Sequence, residues 1–474
     1  MSDGFGVERA QCRTLKRLGP RGFVSRFNLY FFLKEAPLPA IDYSKPARSK
    51  QTHHKSRHIA RLSSIPVFGR SKLLSRIQSV AAQSAPGRRY PQMMAFLEVS
   101  KWLVPYFRDV FHKNARYRTY PTGESGVFAA GSPRSELRVA VAADWGTGTL
   151  ESEQVAANIK AGKPHFTLHL GDVYHLGDAQ EIEENCLGQT TKNYGGVAWP
   201  LGSRGSFALM GNHEMYSGGQ GYYERFLPKL GLLHADGTVK SQQYAGYFCL
   251  EAEHWILLGL DTGYHSGGIP LLGVIPGVNT IPALNVDARF DDKMLKWLKK
   301  TMDALQPKTG AKKTLIVMTH HQPLSSFEQY YTKPAQQLAD LGILDGQEFV
   351  WLYGHEHRLT VYKKQEVGEG LVAYPRCIGH GGMPVSASKL KKPDDKVLFY
   401  DPRVHAIDVD HPKTMVGYNG HLMLTIEGDR LTIEYHDIAE NRVLLTETFR
   451  RGTGGCLEHT CSKATAKGLK PGDR

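Results

Sequence analysis

The sequence predicts an α/β layer fold. Short apolar runs that stop abruptly at polar residues recur from about residue 136 onward, and helical patterns lie between several of them. Runs of Val, Leu, Ile and Phe with polar ends read as buried strands, and strands alternating with helices build α/β sheets. Composition agrees. Of 474 residues, 41% are hydrophobic and 22% charged, ordinary for a soluble globular protein. That excludes a wholly disordered chain, a collagen and a disulfide-dense miniprotein.

The N-terminal quarter stands apart. Residues 1–120 hold 23 Lys/Arg and 6 Asp/Glu, a net +17, leaving 36 basic and 40 acidic residues, a net −4, in the rest. This stretch reads as a basic, partly helical extension. Residues 36–70 mix Pro, Ser, His and Arg without a period and read as linker, while 71–85 and 91–115 are helix candidates. Its charge suits nucleic acid or an anionic membrane surface, or is simply solvated. No run reaches the roughly 18 apolar residues of a membrane span, and no apolar leader is seen, so a cytoplasmic protein is expected. Six cysteines, four of them isolated, fit a reduced compartment.

The strands come next, each with its polar end. Leu137–Ala143 runs into Asp144, and Phe166–Leu170 into G-D-V-Y-H-L-G-D with Asp172. Phe207–Met210 runs into G-N-H-E, and Trp255–Leu260 into Asp261. Thr314–Met318 runs into T-H-H-Q-P, and Phe349–Leu352 into Y-G-H-E-H. Residues 288–306 carry Phe290, Met294, Leu295, Leu298, Met302 and Leu305 on one helical stripe. Residues 421–426 and 431–436, split by E-G-D-R, read as a closing hairpin. The Gly/Pro/Ile-rich stretch 266–286 is a lid or a long loop. Residues 451–474 read as a flexible tail, and its Cys456, His459 and Cys461 match no zinc spacing.

Alone, each cluster is a turn or a cap. Together, five of these six occur in order after strands and offer Asp, Asn and His as donors. In α/β sheets, sites form beyond the carboxyl ends of strands. Oxygen and imidazole donors without thiolates suit Mn, Fe, Zn, Ni or Mg rather than a structural zinc site.

These motifs resemble the calcineurin-like metallophosphoesterases, in the branch that looks like purple acid phosphatases. The family order D-x-H or D-W-G, G-D, G-N-H-D/E, a strand-ending His and G-H-x-H is met by Asp144, Asp172, Asn212–His213–Glu214, His320 or His321, and His355/His357. The resemblance covers about residues 136–450. It implies a four-layer αββα sandwich, two central mixed sheets flanked by helices, with two divalent ions, or one trivalent and one divalent, of the Mn/Fe/Zn class. It assigns Asp172 as the bridge, Asp144 and His357 to the first ion, and Asn212, His355 and one of His320/His321 to the second. His213 is implied as the group that stabilises the transition state or protonates the leaving oxygen, with Glu214 orienting it. Asn212, His213 and His380, the last in I-G-H-G-G, are the residues expected to meet substrate.

Two departures follow. D-W-G puts Gly146 where other members carry a histidine ligand, and purple acid phosphatases compensate with a tyrosine three residues after the bridging Asp. Here that position is His175, with Tyr174 one residue earlier. Spacing favours His175 as the donor, which would remove tyrosinate-to-iron colour. The doubled histidine leaves His320 and His321 both open.

The resemblance implies metal-dependent hydrolysis of phosphate esters, with a metal-activated water attacking phosphorus. The alternatives are a phosphodiesterase or nuclease acting on cyclic nucleotides or nucleic acid, and a non-catalytic scaffold using the basic N-terminus. The net −4 of the catalytic part argues for a small phosphate ester.

Overall fold

The computed structural model describes residues 114–131, 136–174, 176–190, 196–266, 287–306, 310, 312–385, 387, 394–406, 415–439 and 441–463. All lie in one compact unit, Ser63–Arg474. The expected linker and helix 71–85, nearly all of helix 91–115, His175 and the stretch 267–286 lie outside the described residues.

The first half of the fold runs β1 (Val127–Ala129), β2 (Leu137–Ala142), α1 (Leu150–Ala161), β3 (Phe166–His169), α2 (Ala179–Asn185), β4 (Gly205–Ala208), α3 (Asn212–Met215), β5 (Gly231–Leu233), β6 (Val239–Gln242), β7 (Phe248–Glu251) and β8 (Trp255–Gly259). The middle runs α4 (Asp292–Leu305), β9 (Thr314–Thr319), α5 (Lys333–Leu341), β10 (Phe349–Tyr353), β11 (Leu359–Tyr362), β12 (Gln365–Gly368), β13 (Leu371–Ile378) and β14 (Val397–Tyr400). The rest runs β15 (His405–Ala406), β16 (Met415–Val416), β17 (Gly420–Glu427), β18 (Arg430–Asp437), β19 (Val443–Arg451) and β20 (Leu457–Lys463).

The strands form two large mixed sheets and one small ribbon. One sheet has the order β1-β7-β8-β9-β10-β13-β11-β14, with β12 on β13. The other has the order β20-β19-β18-β17-β2-β3-β4-β5-β6. Side chains alternate along each strand, so each sheet has two apolar faces to bury. Ile316 and Met318 of β9 face Val139, Val141 and Leu168 of the other sheet in a shared core. Leu315 and Val317, between them, pack instead with Met294, Leu298 and Met302 of α4 and Leu338 of α5. On the far side, Ala140 and Ala142 of β2 pack with Val155 and Ile159 of α1. The result is the expected four-layer αββα sandwich.

Local chemistry sets the helix ends. Thr149 caps α1, its side chain accepting the Ser152 N–H, and Glu151 and Glu153 sit in the first turn, where a carboxylate favours the helix dipole. Asp291 caps α4 by accepting the Lys293 N–H, so the helix begins after Asp291 rather than at residue 288. The expected hairpin is β17–β18, in register from Gly420↔Asp437 to Glu427↔Arg430.

The ordered body reaches beyond 136–450 at both ends. β1 pairs in parallel with β7, the Tyr120 hydroxyl donates to Tyr247 O at 2.8 Å, and Tyr117 and Tyr120 pack on the core under α4 and α5. At the other end, residues 457–463, read from sequence as tail, form an edge strand antiparallel to β19. Leu457 is its buried anchor, while the exposed Glu458, Thr460, Cys461 and Ser462 explain why no apolar pattern announced it.

Candidate metal centre

Both sheets deliver groups to one place. Asp144, Asp172 and Asn212 follow β2, β3 and β4 of one sheet, and His320, His355 and His357 follow β9 and β10 of the other. Three of these residues turn through the left-handed region, with φ of 56° at Asp144, 70° at Asp172 and 66° at His355. Asp and His tolerate this better than most residues, but each such turn still costs on the order of 1–3 kcal/mol. The reward is geometric: the turn throws the side chain back over the strand end. Gly211 and Gly354 complete the fit, because a Cβ on either would strike the carboxylate of Asp172 or Asp144. The two carboxylates therefore lie against main chain, accepting the His213 N–H at 3.0 Å and the His355 N–H at 2.8 Å.

One cluster forms around Tyr174. Its hydroxyl lies 2.8 Å from Asp144 Oδ1, 2.9 Å from Asp172 Oδ2 and 3.0 Å from His357 Nε2. Burial and then the two carboxylates push this phenol well above its usual range, so only a cation set among these groups would favour the phenolate.

A second cluster lies on the other oxygen of Asp172. His320 Nε2 is 3.3 Å from Asp172 Oδ1 and 3.1 Å from Asn212 Oδ1. His355 Nδ1 is 2.9 Å from the same Asn212 oxygen. His320 Nδ1 faces the Leu170 carbonyl at 2.9 Å, which leaves Nε2 as the inward nitrogen. His321 is turned differently. Its Nδ1 lies 3.0 Å from Thr262 Oγ1 and its ring packs on His355 and Tyr331, while its buried Nε2 has no hydrogen-bond partner among the described residues.

These residues fit metal ions. Asp144 and Asp172 are buried side by side, and among the described residues neither is paired with a Lys or Arg. Buried carboxylates need compensating charge. Burial works against charge on Asp172, yet the His320 and His213 rings hold its carboxyl well below the usual range. Two donor groups lie close enough to hold an ion: Asp144, Asp172 and His320, and His320, His321 and His355.

The other expected site residues separate. His213 sits at the edge of the site, its ring between Tyr174 and Tyr216 at centroid distances of 4.2 and 4.7 Å. Its Nε2 is 3.8 Å from Asp172 Oδ2 and the side chain is 20% exposed. Glu214 Oε2 accepts the Gly211 N–H at 2.8 Å and the Asp172 N–H at 3.3 Å, bracing the loop. Burial, with Asp172 adding, pushes that carboxyl up to about 8. His380 is buried with its ring against Gly420 of β17. Asp178 caps α2. Sequence reasoning missed Tyr216, Tyr331 and Thr262, which contact Asn212, His355 and His321. All three lie outside the recognisable motifs, although Tyr216 follows G-N-H-E by only two residues.

Residues 137–359 match the family model described as calcineurin-like phosphoesterase. Among solved structures, the chain is similar to a purple acid phosphatase from yellow lupin (Lupinus luteus) seeds, at 13% identity and a TM-score of 0.44. That match covers 67% of this chain and 55% of the lupin chain, so this chain spans little more than half the length of that relative. It is also similar to GAP50, the anchor in the inner membrane complex of Plasmodium, at 13% identity and a TM-score of 0.42, covering 66% and 87%. A third similar structure is PhoD, at 12% identity and a TM-score of 0.41, covering 71% and 74%. No curated protein matches the chain.

Proposed function

We propose that residues 137–359, which match the calcineurin-like phosphoesterase model, form such a domain, and that the protein hydrolyses small phosphate esters at a dinuclear metal centre. The observation that carries this reading is the position of Asp172. Its Oδ2 meets the Tyr174, Asp144 and His357 cluster, and its Oδ1 meets the His320, Asn212 and His355 cluster. One carboxylate with its two oxygens facing two donor sets is what a bridging ligand requires.

In this reading Asp144, Tyr174 and His357 hold one ion, Asn212, His320 and His355 hold the other, and Asp172 serves both. Tyr174 takes the role that spacing gave to His175, supported by its contacts to Asp144, Asp172 and His357. His320, rather than His321, is the strand-ending ligand, supported by the inward Nε2. Ions of the Mn/Fe/Zn class would supply Lewis acidity toward phosphoryl oxygens and an activated water. The chain does the rest. The neutral Asn212 amide limits negative charge in the site and lets a phosphate approach. His213, its ring tilted between Tyr174 and Tyr216 at the part-exposed edge of the site, carries a proton for the leaving oxygen. Glu214 keeps the Gly211 and Asp172 main chain in place.

Metal analysis combined with hydrolysis of p-nitrophenyl phosphate, its bis ester and cyclic nucleotides tests the proposal. Two ions per chain and monoester turnover are expected, with Asp172→Asn losing at least one ion. A wild-type protein without bound Mn, Fe or Zn and without turnover of any ester would sink it. Turnover confined to the bis ester or cyclic nucleotides would make the enzyme a phosphodiesterase.

A further inference from the structure

Two tyrosines hold the outer ends of two groups in the second donor cluster. Asn212 Nδ2 donates to the Tyr216 hydroxyl at 2.6 Å, and the amide oxygen then points inward, 2.9 Å from His355 Nδ1. On the opposite side, His355 Nε2 lies 3.3 Å from the Tyr331 hydroxyl. Both held groups are ambiguous by nature. An amide turned end for end would aim NH2 at a cation, and an imidazole can ligate only through its unprotonated nitrogen. In each case a tyrosine hydroxyl occupies the end that must face away.

We propose that Tyr216 and Tyr331 are positioning residues that fix the orientation of the Asn212 amide and the tautomer of His355, and so set the affinity of the second metal site. The inference rests on the ligand assignment above. The Tyr331 oxygen accepts the proton of His355 Nε2, which leaves the Nδ1 lone pair directed inward. The Tyr216 oxygen accepts one amide proton of Asn212 and so keeps Oδ1 inward.

Packing is the competing role. Tyr216 packs at a tilt against His213 at 4.7 Å, and Tyr331 lies edge-on to His321 and His355 at 5.0 and 5.8 Å. Tyr→Phe keeps the ring and removes only the hydroxyl, so it separates packing from orientation. Losing a partner that orients a metal ligand costs roughly 10–100-fold in metal affinity.

The test uses the full chain loaded with Mn²⁺. Bound manganese is counted across a chelator series, and the spin coupling between paired ions is read by electron paramagnetic resonance. The wild type should hold two coupled ions. Tyr216→Phe and Tyr331→Phe should each release one ion at about 10–100-fold lower chelator and lose the coupled spectrum, while the other ion stays. Tyr330→Phe, at a neighbour that is 46% exposed, should match the wild type. Either tyrosine whose Phe variant keeps both ions like the wild type is thereby removed from the assignment, and two such results overturn the proposal alone. Fewer than two ions in the wild type, or an unchanged pair in both Asn212→Ala and His355→Ala, overturns the ligand assignment and this proposal with it.

Discussion

Arg376 on β13 and Glu447 on β19 face each other across the two sheets, both fully buried, with guanidinium–carboxylate contacts of 2.7 and 2.5 Å. Tyr435 and His459 also contact the carboxylate, at 2.5 and 2.7 Å. Burial opposes the Glu447 charge, but Arg376 and these partners bring its carboxyl down to about 2. Removing one side of a buried pair strands the other charge, a loss of about 3–5 kcal/mol. Glu447→Ala should therefore lower the unfolding free energy read from urea titration by about that amount, and a change below about 1 kcal/mol would show the pair to be dispensable.

The same carboxylate sets an acid limit. Its folded pKa lies below the unfolded value of about 4.3, so its contribution is complete above that pH and is lost as pH falls toward about 2. Urea unfolding between about pH 5 and 2 should show stability falling in the wild type and a shallower slope in Glu447→Gln. Equal slopes would remove Glu447 as the cause.

Iron loading distinguishes Tyr174 from His175. With Tyr174 as donor, the ferric protein should absorb visible light through phenolate-to-iron charge transfer, and Tyr174→Phe should abolish the band while still holding the second ion. A colourless, active ferric protein would return the role to His175.

His213→Ala should keep both ions and lower turnover by roughly 10²–10⁴-fold, the usual contribution of a general acid. Metal loss in this variant would mean that the ring braces Asp172 instead.

The basic extension can be trimmed only so far. A chain beginning at Asn114 should keep small-ester hydrolysis and its melting temperature. One beginning at Pro121 loses Tyr117 and Tyr120 and should be less stable by about 2 kcal/mol or more. Inactivity of the longer chain would make part of residues 1–113 integral to catalysis.

Much of this molecule was legible in the sequence because strands that end in Asp, Asn or His combine a period with a punctuation mark. The six strands before these motifs and the α4 stripe came from that pattern. The choice between Tyr174 and His175 did not. Spacing counts residues, whereas the contact of Tyr174 with Asp172, at 2.9 Å beyond a turn of positive φ, is a matter of backbone path that no count carries, and His175 lies outside the described residues. Tyr216 and Tyr331 were silent for another reason. They meet Asn212 and His355 through tertiary contacts, and a tyrosine in a loop looks the same whether or not its hydroxyl is used.

The order of the second sheet sets a schedule. β17 pairs with β2, Leu422 beside Val141, so a strand that leaves the ribosome early waits for one made some 280 residues later. At about 5–20 residues per second, that delay is on the order of 15–60 s. Until then β2, apolar but for Arg138, has an open edge next to Asp144, a template for pairing with other chains. Pairing this remote also slows folding. A nascent chain of this protein should therefore lean on chaperones through most of its synthesis, and one ending before Gly420 should aggregate rather than accumulate as a half-built domain.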